Sequence, residues 1–228
     1  MSVSAYVISA ICGCFYRESG VNPGIWEGLT VPSDTFSHVY QGDGIGGYGF
    51  GQFTNTVHNG VVAWRLRDYY DWCVQNGYTP DNGNAQMDYI VNVEQVWFNS
   101  AQQRGTYTTI QQFLASTSTN LEDLTWDWLA SWEGVPGDAF SIRYAFAQRA
   151  LSYIYDHQND DPNTYSWISG NFYPSDAQSL NNVMCMYFYF DGYTPDPGPG
   201  PGPGPHPTPT GSKKMPLWFY LKHPYRRG

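Results

Sequence analysis

Residues 15–24, FYRESGVNPG, put an acid, Glu18, on the last turn of an apolar helical run, just before Gly20 and Pro23. Upstream, Val7, Ile11 and Cys14 recur at helical spacing, and counting on by four from Cys14 reaches Glu18. Segment 4–18 therefore reads as one helix whose buried stripe ends in a carboxyl group. Desolvation on the apolar side favours the neutral acid. The partial negative charge at a helix C-terminus acts in the same direction. A carboxyl group kept protonated near neutral pH is the equipment of a general acid that protonates a leaving oxygen. The alternative, from this helix alone, is a rim position with Glu18 paired to Arg17 or another base.

The second informative stretch is GDGIGGYGFGQFTN at 42–55, Gly-rich and short-period, which reads as a hairpin or an irregular strand pair. If 47–54 is extended, Tyr48, Phe50, Gln52 and Thr54 share one face while Gly47, Gly49 and Gly51 lie on the other. Bare glycine backbone lets a flat polymer approach the main chain. Sugars suit such a surface, because their rings stack on aromatics and their hydroxyl and acetamido groups pair with amides. Close packing of the glycine face against a helix is the competing explanation.

Elsewhere, helices are expected at 57–76, 85–103, 108–116, 120–133, 138–156 and 176–191, with Asp138 as the N-cap of the fifth. The fold class is mainly α with one small β-hairpin element. Residues 195–210, PDPGPGPGPGPHPTPT, form a Pro/Gly linker that cannot pack. The organisation expected is a body at 1–157, a helical segment at 158–193, a linker at 194–211 and a basic, aromatic tail at 212–228.

The charge of -9 is unevenly spread over the 228 residues. The tail holds Lys213, Lys214, Lys222, Arg226 and Arg227, and residues 1–211 set six basic against twenty acidic residues, a net -14. Such a body offers no basic face for phosphates, so no nucleic-acid partner is expected. Cys12, Cys14, Cys73 and Cys185 form no disulfide framework or zinc spacing, and the five His show no ligand spacing. No metal and no cofactor are expected. MSVSAYVISAICGC at the start has no basic n-region and no long apolar run, so neither a signal peptide nor a membrane span is expected there.

RESGVNPGIWE followed by GGYGFGQFT resembles the lysozyme superfamily, and most of all its phage tail lysozyme group, which carries Glu-Ser-(Gly/Thr)-x-Asn-Pro-Gly and then Gly-Tyr-Gly-x-x-Gln-(Trp/Phe)-Thr. YDWC, GNAQMDYIVNVE and LASWEGVPGDAFSIRYAFAQRALSYI are similar to that group in the same order, so the resemblance covers about residues 5–156. It implies a lysozyme-like fold, cleavage of peptidoglycan glycan strands, Glu18 as the acid and Gln52 as the Gln of the second motif. Asp43 stands where the related goose-type lysozymes have an Asp, with Asp34 as competitor. The family carboxylate just after the Gln is replaced by Thr54, which can hold a water but is no strong base. Two outcomes stay open: water activated by Asp43, as in an inverting hydrolase, or attack by the substrate's own hydroxyl, as in lytic transglycosylases. Glu133 matches an acid of the group that positions a helix or lines the cleft, alongside Tyr48, Phe50 and Gln52 as substrate contacts.

DAQSLNNVMCMYFYFDGYTP at 176–195 is similar to a segment that in family members precedes the first catalytic helix. Here it follows the last, and it is expected either to return beside helix 4–18 or to begin a second, truncated unit. The resemblance implies a muramidase carried on a phage tail or released as a lysin. A lytic transglycosylase and a non-catalytic glycan-binding or tail-structural module are the alternatives. The tail at 212–228 is suited to an anionic cell surface or another virion protein.

Overall fold

The first helix, α1 (Ala5–Ser19), begins where Ser4 accepts a hydrogen bond from the Val7 amide, and ends where Gly20 turns left-handed at φ 67°. The computed structural model describes residues 3–29, 36–40, 46–58, 61–99 and 101–192, so Asp34, Asp43, the linker and the tail lie outside the described residues. Val7, Ile11, Cys14 and Phe15 are completely buried, as the helical stripe requires. Six further α-helices follow among the described residues: α2 (Arg65–Asn76), α3 (Gly83–Asp88), α4 (Ile110–Leu114), α5 (Leu121–Trp128), α6 (Phe140–His157) and α7 (Asp176–Phe190). Together with one two-stranded antiparallel sheet they make a mainly α fold with a small hairpin.

α1 is central and packs on α5, α6 and α7. Its approach to α6 is close enough that a Cβ on Gly13 would lie 2.5 Å from the Arg143 carbonyl oxygen, so only glycine fits. Phe15 meets the stacked indoles of Trp128 and Trp132 edge-on at 5.9 and 5.3 Å, and stacks on Phe50 at 5.3 Å. These rings weld α1, α5 and the Gly-rich segment into one core.

Three expectations are corrected. The region 57–76 is not one helix: β1 (Asn55–His58) pairs with β2 (Val61–Trp64), from Asn55 opposite Trp64 to His58 opposite Val61. Three β-branched valines favour the ladder, and the Asn55 side chain accepts from the Leu66 and Arg67 amides, so α2 starts only after the hairpin. Helix 85–103 begins at Gly83, passes into a π-helical stretch at Tyr89–Glu94 and stops at Gln95, whose φ is 48°. Asp138 is not the N-cap of α6; that place belongs to Ala139 at φ 47°, while Asp138 binds Arg143.

α7 starts with a capping box between Ser175 and Gln178 and lies against α1, with the Cys12 thiol 3.5 Å from the Met186 sulfur. Its fully buried Asn182 donates to the Val21 and Ile168 carbonyls at 2.9 and 2.8 Å and accepts from the Ile168 amide at 2.8 Å. Asn182→Ala strips partners from one buried and two partly buried backbone groups, so it is expected to lower stability by about 2–3 kcal/mol in urea unfolding. An unchanged midpoint would mean that α7 does not anchor the loop after α1.

Candidate active site

The loop that follows α1 is held by side-chain amides in place of regular backbone pairing. Val21 sits at φ 60°, a left-handed conformation costly for a β-branched residue, so the surroundings must enforce it. Buried Asn22 does so by donating to the Gly170 and Phe172 carbonyls at 2.8 and 2.7 Å and accepting from the Gly24 amide at 2.8 Å. Buried Gln86, from α3, donates to the Pro23 carbonyl at 2.6 Å and accepts from the Phe50 amide at 2.9 Å. One carboxamide thus joins the turn after Glu18 to the Gly-rich segment.

That segment is not an extended strand, a fourth correction to the sequence reading. Tyr48 and Phe53 exchange backbone hydrogen bonds at 3.1 and 2.8 Å around a tight turn, with Gln52 left-handed at φ 53°. A strict alternation of faces is therefore lost. Phe50 is fully buried between Phe15 and Trp167, and Tyr48 is buried against Trp26 and Phe36, so both rings are core rather than open stacking surfaces. The glycines serve close packing: a Cβ on Gly51 would lie 2.2 Å from Trp132 Cη2. Gln52 donates to the Gly49 carbonyl at 2.9 Å, leaving its Oε1 buried without a partner, and the Thr54 hydroxyl donates to the Gln52 carbonyl at 2.8 Å. Glu27 is a clasp for the same segment, accepting from the Gly47 amide at 3.2 Å.

Glu18 does not end in an apolar pocket. The Arg143 guanidinium of α6 donates to Glu18 Oε1 at 2.5 Å, to the Cys14 carbonyl at 2.8 Å and to the Asp138 carboxylate at 3.1 Å, while its Nε donates to the Asp138 carbonyl at 2.9 Å. Arg143 is wholly buried, and 13% of the Glu18 side chain remains accessible. Pairing with a base, the alternative left open by the sequence, is what forms, but with Arg143 and not Arg17. A fully buried cation holding one oxygen of a partly open acid fixes that acid's rotamer and aims it.

Glu133 closes the cluster. It ends a π-helical turn, Leu129–Glu133, that continues α5 and places Trp132 under the Gly-rich turn. Its Oε1 is buried without a hydrogen bond, 3.9 Å from Arg143 Nη1. Burial, reinforced by the Glu18 charge and opposed by Arg143 and Arg65, pushes the Glu133 carboxyl up to about 8. Arg65 lies 4.5 Å over the Trp132 ring and forms a bidentate pair with Glu94.

The structure thus brings Glu18 and Glu133 together through Arg143, and sets Gln52 and Thr54 on the turn that packs on Trp132. Asp43 lies outside the described residues. Asn22, Gln86 and Arg143 were not singled out by the sequence reading. The one usable signal for Arg143 is its place in SIRYAFAQRA, where it shares a helical face with Phe146, Ala147 and Ala150.

The Glu133 environment predicts a pH dependence of stability. Its folded value lies above the ordinary 4.5, so the native protein holds a proton that the unfolded chain has released. Its contribution is therefore complete below pH 4.5 and is lost as pH rises through about 8. The stability of the parent relative to Glu133→Gln is expected to fall by roughly a few kcal/mol between those limits, measured as urea midpoints across the range. A constant difference would place the raised proton affinity elsewhere.

Among the described residues no helix is long and apolar enough to cross a membrane. No curated protein matches the chain. The sequence model described as phage tail lysozyme matches residues 2–154, which takes in α1, the Gly-rich turn, the hairpin, Glu133 and Arg143. With two thirds of its length matched, the chain belongs to the phage tail lysozyme family.

Proposed function

We propose that the protein is a muramidase that cuts the β-1,4 bond between N-acetylmuramic acid and N-acetylglucosamine, acting from a phage tail or as a released lysin, with Glu18 as the proton donor. The observation that carries this reading is the Glu18 carboxyl, at the end of α1, held through Oε1 by buried Arg143 while part of the side chain stays open to solvent. With Oε1 fixed, Oε2 is the oxygen left to deliver a proton to the glycosidic oxygen as the sugar develops oxocarbenium character. Asp43 is assigned to water activation. The Thr54 hydroxyl spends its proton on the Gln52 carbonyl and keeps its lone pairs for a water, and Gln52 and Glu133 shape the cleft wall.

A second reading is favoured by Thr54 itself, which can hold a water but is no strong base. A lytic transglycosylase needs no water-activating base, because the substrate's own hydroxyl closes the anhydro ring. Mass analysis of released muropeptides separates the two: a reducing N-acetylmuramic acid end means hydrolysis and a 1,6-anhydro end means transglycosylation. Thr54→Ala is expected to slow the first reaction and spare the second.

Glu18→Gln keeps the shape and the Arg143 contact while removing the acidic proton. It is expected to lower turnover of purified cell walls by about a hundredfold or more, with glycan binding retained. Near-parental clearing of wall turbidity would mean that the acid lies elsewhere. Parental inactivity with intact glycan binding would point instead to a non-catalytic module.

We assign residues 1–157 to the catalytic body, 158–193 to a segment that belongs to the same unit, 194–211 to a spacer and 212–228 to an accessory tail. The tail's five cations with Trp218, Phe219, Tyr220 and Tyr225 suit an anionic, partly apolar surface. Its removal is expected to spare cleavage of short soluble glycans and to weaken attachment to whole walls most at low salt. Equal pelleting with walls at every salt concentration would deny the tail this role.

A further inference from the structure

Among the described residues the Glu133 side chain is an oddity. It is 6% accessible, one of its oxygens has no hydrogen bond, and a fully buried guanidinium lies just beyond reach at 3.9 Å. Arg143 already uses Nε on the Asp138 carbonyl, Nη2 on Glu18 and the Asp138 carboxylate, and one N–H of Nη1 on the Cys14 carbonyl. The second N–H of Nη1 is not engaged by any of these bonds. A shift of about 1 Å would let Glu133 take it as a charge-assisted bond.

The groups facing Glu133 come from every element around it. α1 supplies Glu18 and Cys14, the latter thiol pushed far up by burial and so neutral. α6 and the residues before it supply Arg143 and Asp138, and α2 supplies Arg65, whose guanidinium is engaged by Glu94. Glu18 and Glu133 therefore stand on two sides of one cation. A buried carboxyl group without a hydrogen bond is tolerated as a neutral acid, whereas a buried carboxylate demands a partner.

We propose that Glu133 is a positioning residue for Glu18: as a neutral acid it leaves the Arg143 guanidinium to Glu18, and as a carboxylate it draws that guanidinium toward itself. The proposal rests on the reading of Glu18 as the reacting acid, whose aim it makes dependent on the state of Glu133. Burial, with the charge of Glu18, holds the Glu133 proton to about pH 8, so the change of partner falls within a range where the folded protein can be studied.

The test uses the full chain with glutamate labelled at the carboxyl carbon, titrated by NMR from pH 6 to 9.5, beside a pH profile of wall-glycan turnover. In the parent, the Glu18 carboxyl signal is expected to move with the same midpoint as that of Glu133, and in Glu133→Gln that step disappears. Parental turnover is expected to carry an inflection at that shared midpoint, and the Glu133→Gln profile to lack it while keeping the slope that Glu18 itself imposes on both proteins. A Glu18 signal blind to the Glu133 titration, or an inflection at that midpoint that survives in Glu133→Gln, overturns the proposal. If Glu133→Gln does not fold, the parental titration alone decides, through the shared or separate midpoints. A parent that shows the shared step and cleaves no glycan at any pH sinks the reading of Glu18 as an acid catalyst and leaves the coupling through Arg143 standing.

Discussion

A single buried positive charge organises this molecule. Arg143 is wholly buried between α1 and α6, and an unpaired guanidinium there would be prohibitive. Its partners therefore dictate local structure. The Cys14 carbonyl and Glu18 come from α1, which must approach α6 closely enough to demand Gly13. Both the carbonyl and the carboxylate of Asp138 bind this guanidinium, and α6 begins at a left-handed Ala139 with no side-chain cap. A cap worth about 1 kcal/mol is given up for bonds to a charge that cannot be left alone.

The second layer of the site is made of neutral amides. Asn22, Gln86 and Asn182 are each fully buried, and each bonds to backbone groups of segments distant in sequence. They hold the turn after Glu18 in a conformation that Val21 would not adopt alone. Residues 168–172 are part of this device, since Gly170 approaches Gly24 so closely that a Cβ there would meet its amide nitrogen at 2.4 Å. Segments beyond the 2–154 family match thus hold the loop that carries the family's first motif.

Much of this was legible because it follows from local rules. A helix stripe of Val7, Ile11 and Cys14 ended by Gly20 fixes α1, and the turn chemistry around it fixes where Glu18 stands. Helical spacing misleads at 57–64, where Asn59-Gly60, the strongest short hairpin signal, stands between Val57 and Val61 in the sequence. Tyr48 and Phe50 were misplaced for another reason: alternation assumes an extended chain, and a turn closed by Tyr48 and Phe53 breaks it. Arg143 escaped because arginine in a helix ordinarily reads as a solvated face. Only the packing of α1 on α6 reveals that its face is interior.

A cluster of this kind is poor value as a stabiliser. Well-packed apolar residues in the place of buried ion pairs commonly leave a protein as stable or more so, and Glu133, buried with an oxygen that no hydrogen bond satisfies, adds strain of its own. The adjoining space is filled by the rings of Phe15, Trp128 and Trp132. What the arrangement does supply is direction. The bond from Arg143 restricts the long Glu18 side chain at its one partly exposed position, at the mouth of a rigid helix. On the proposed role of Glu18 as proton donor to a glycosidic oxygen, such fixing contributes more than the fold loses by it, because misplacement by an ångström erodes rate far more steeply than it erodes stability.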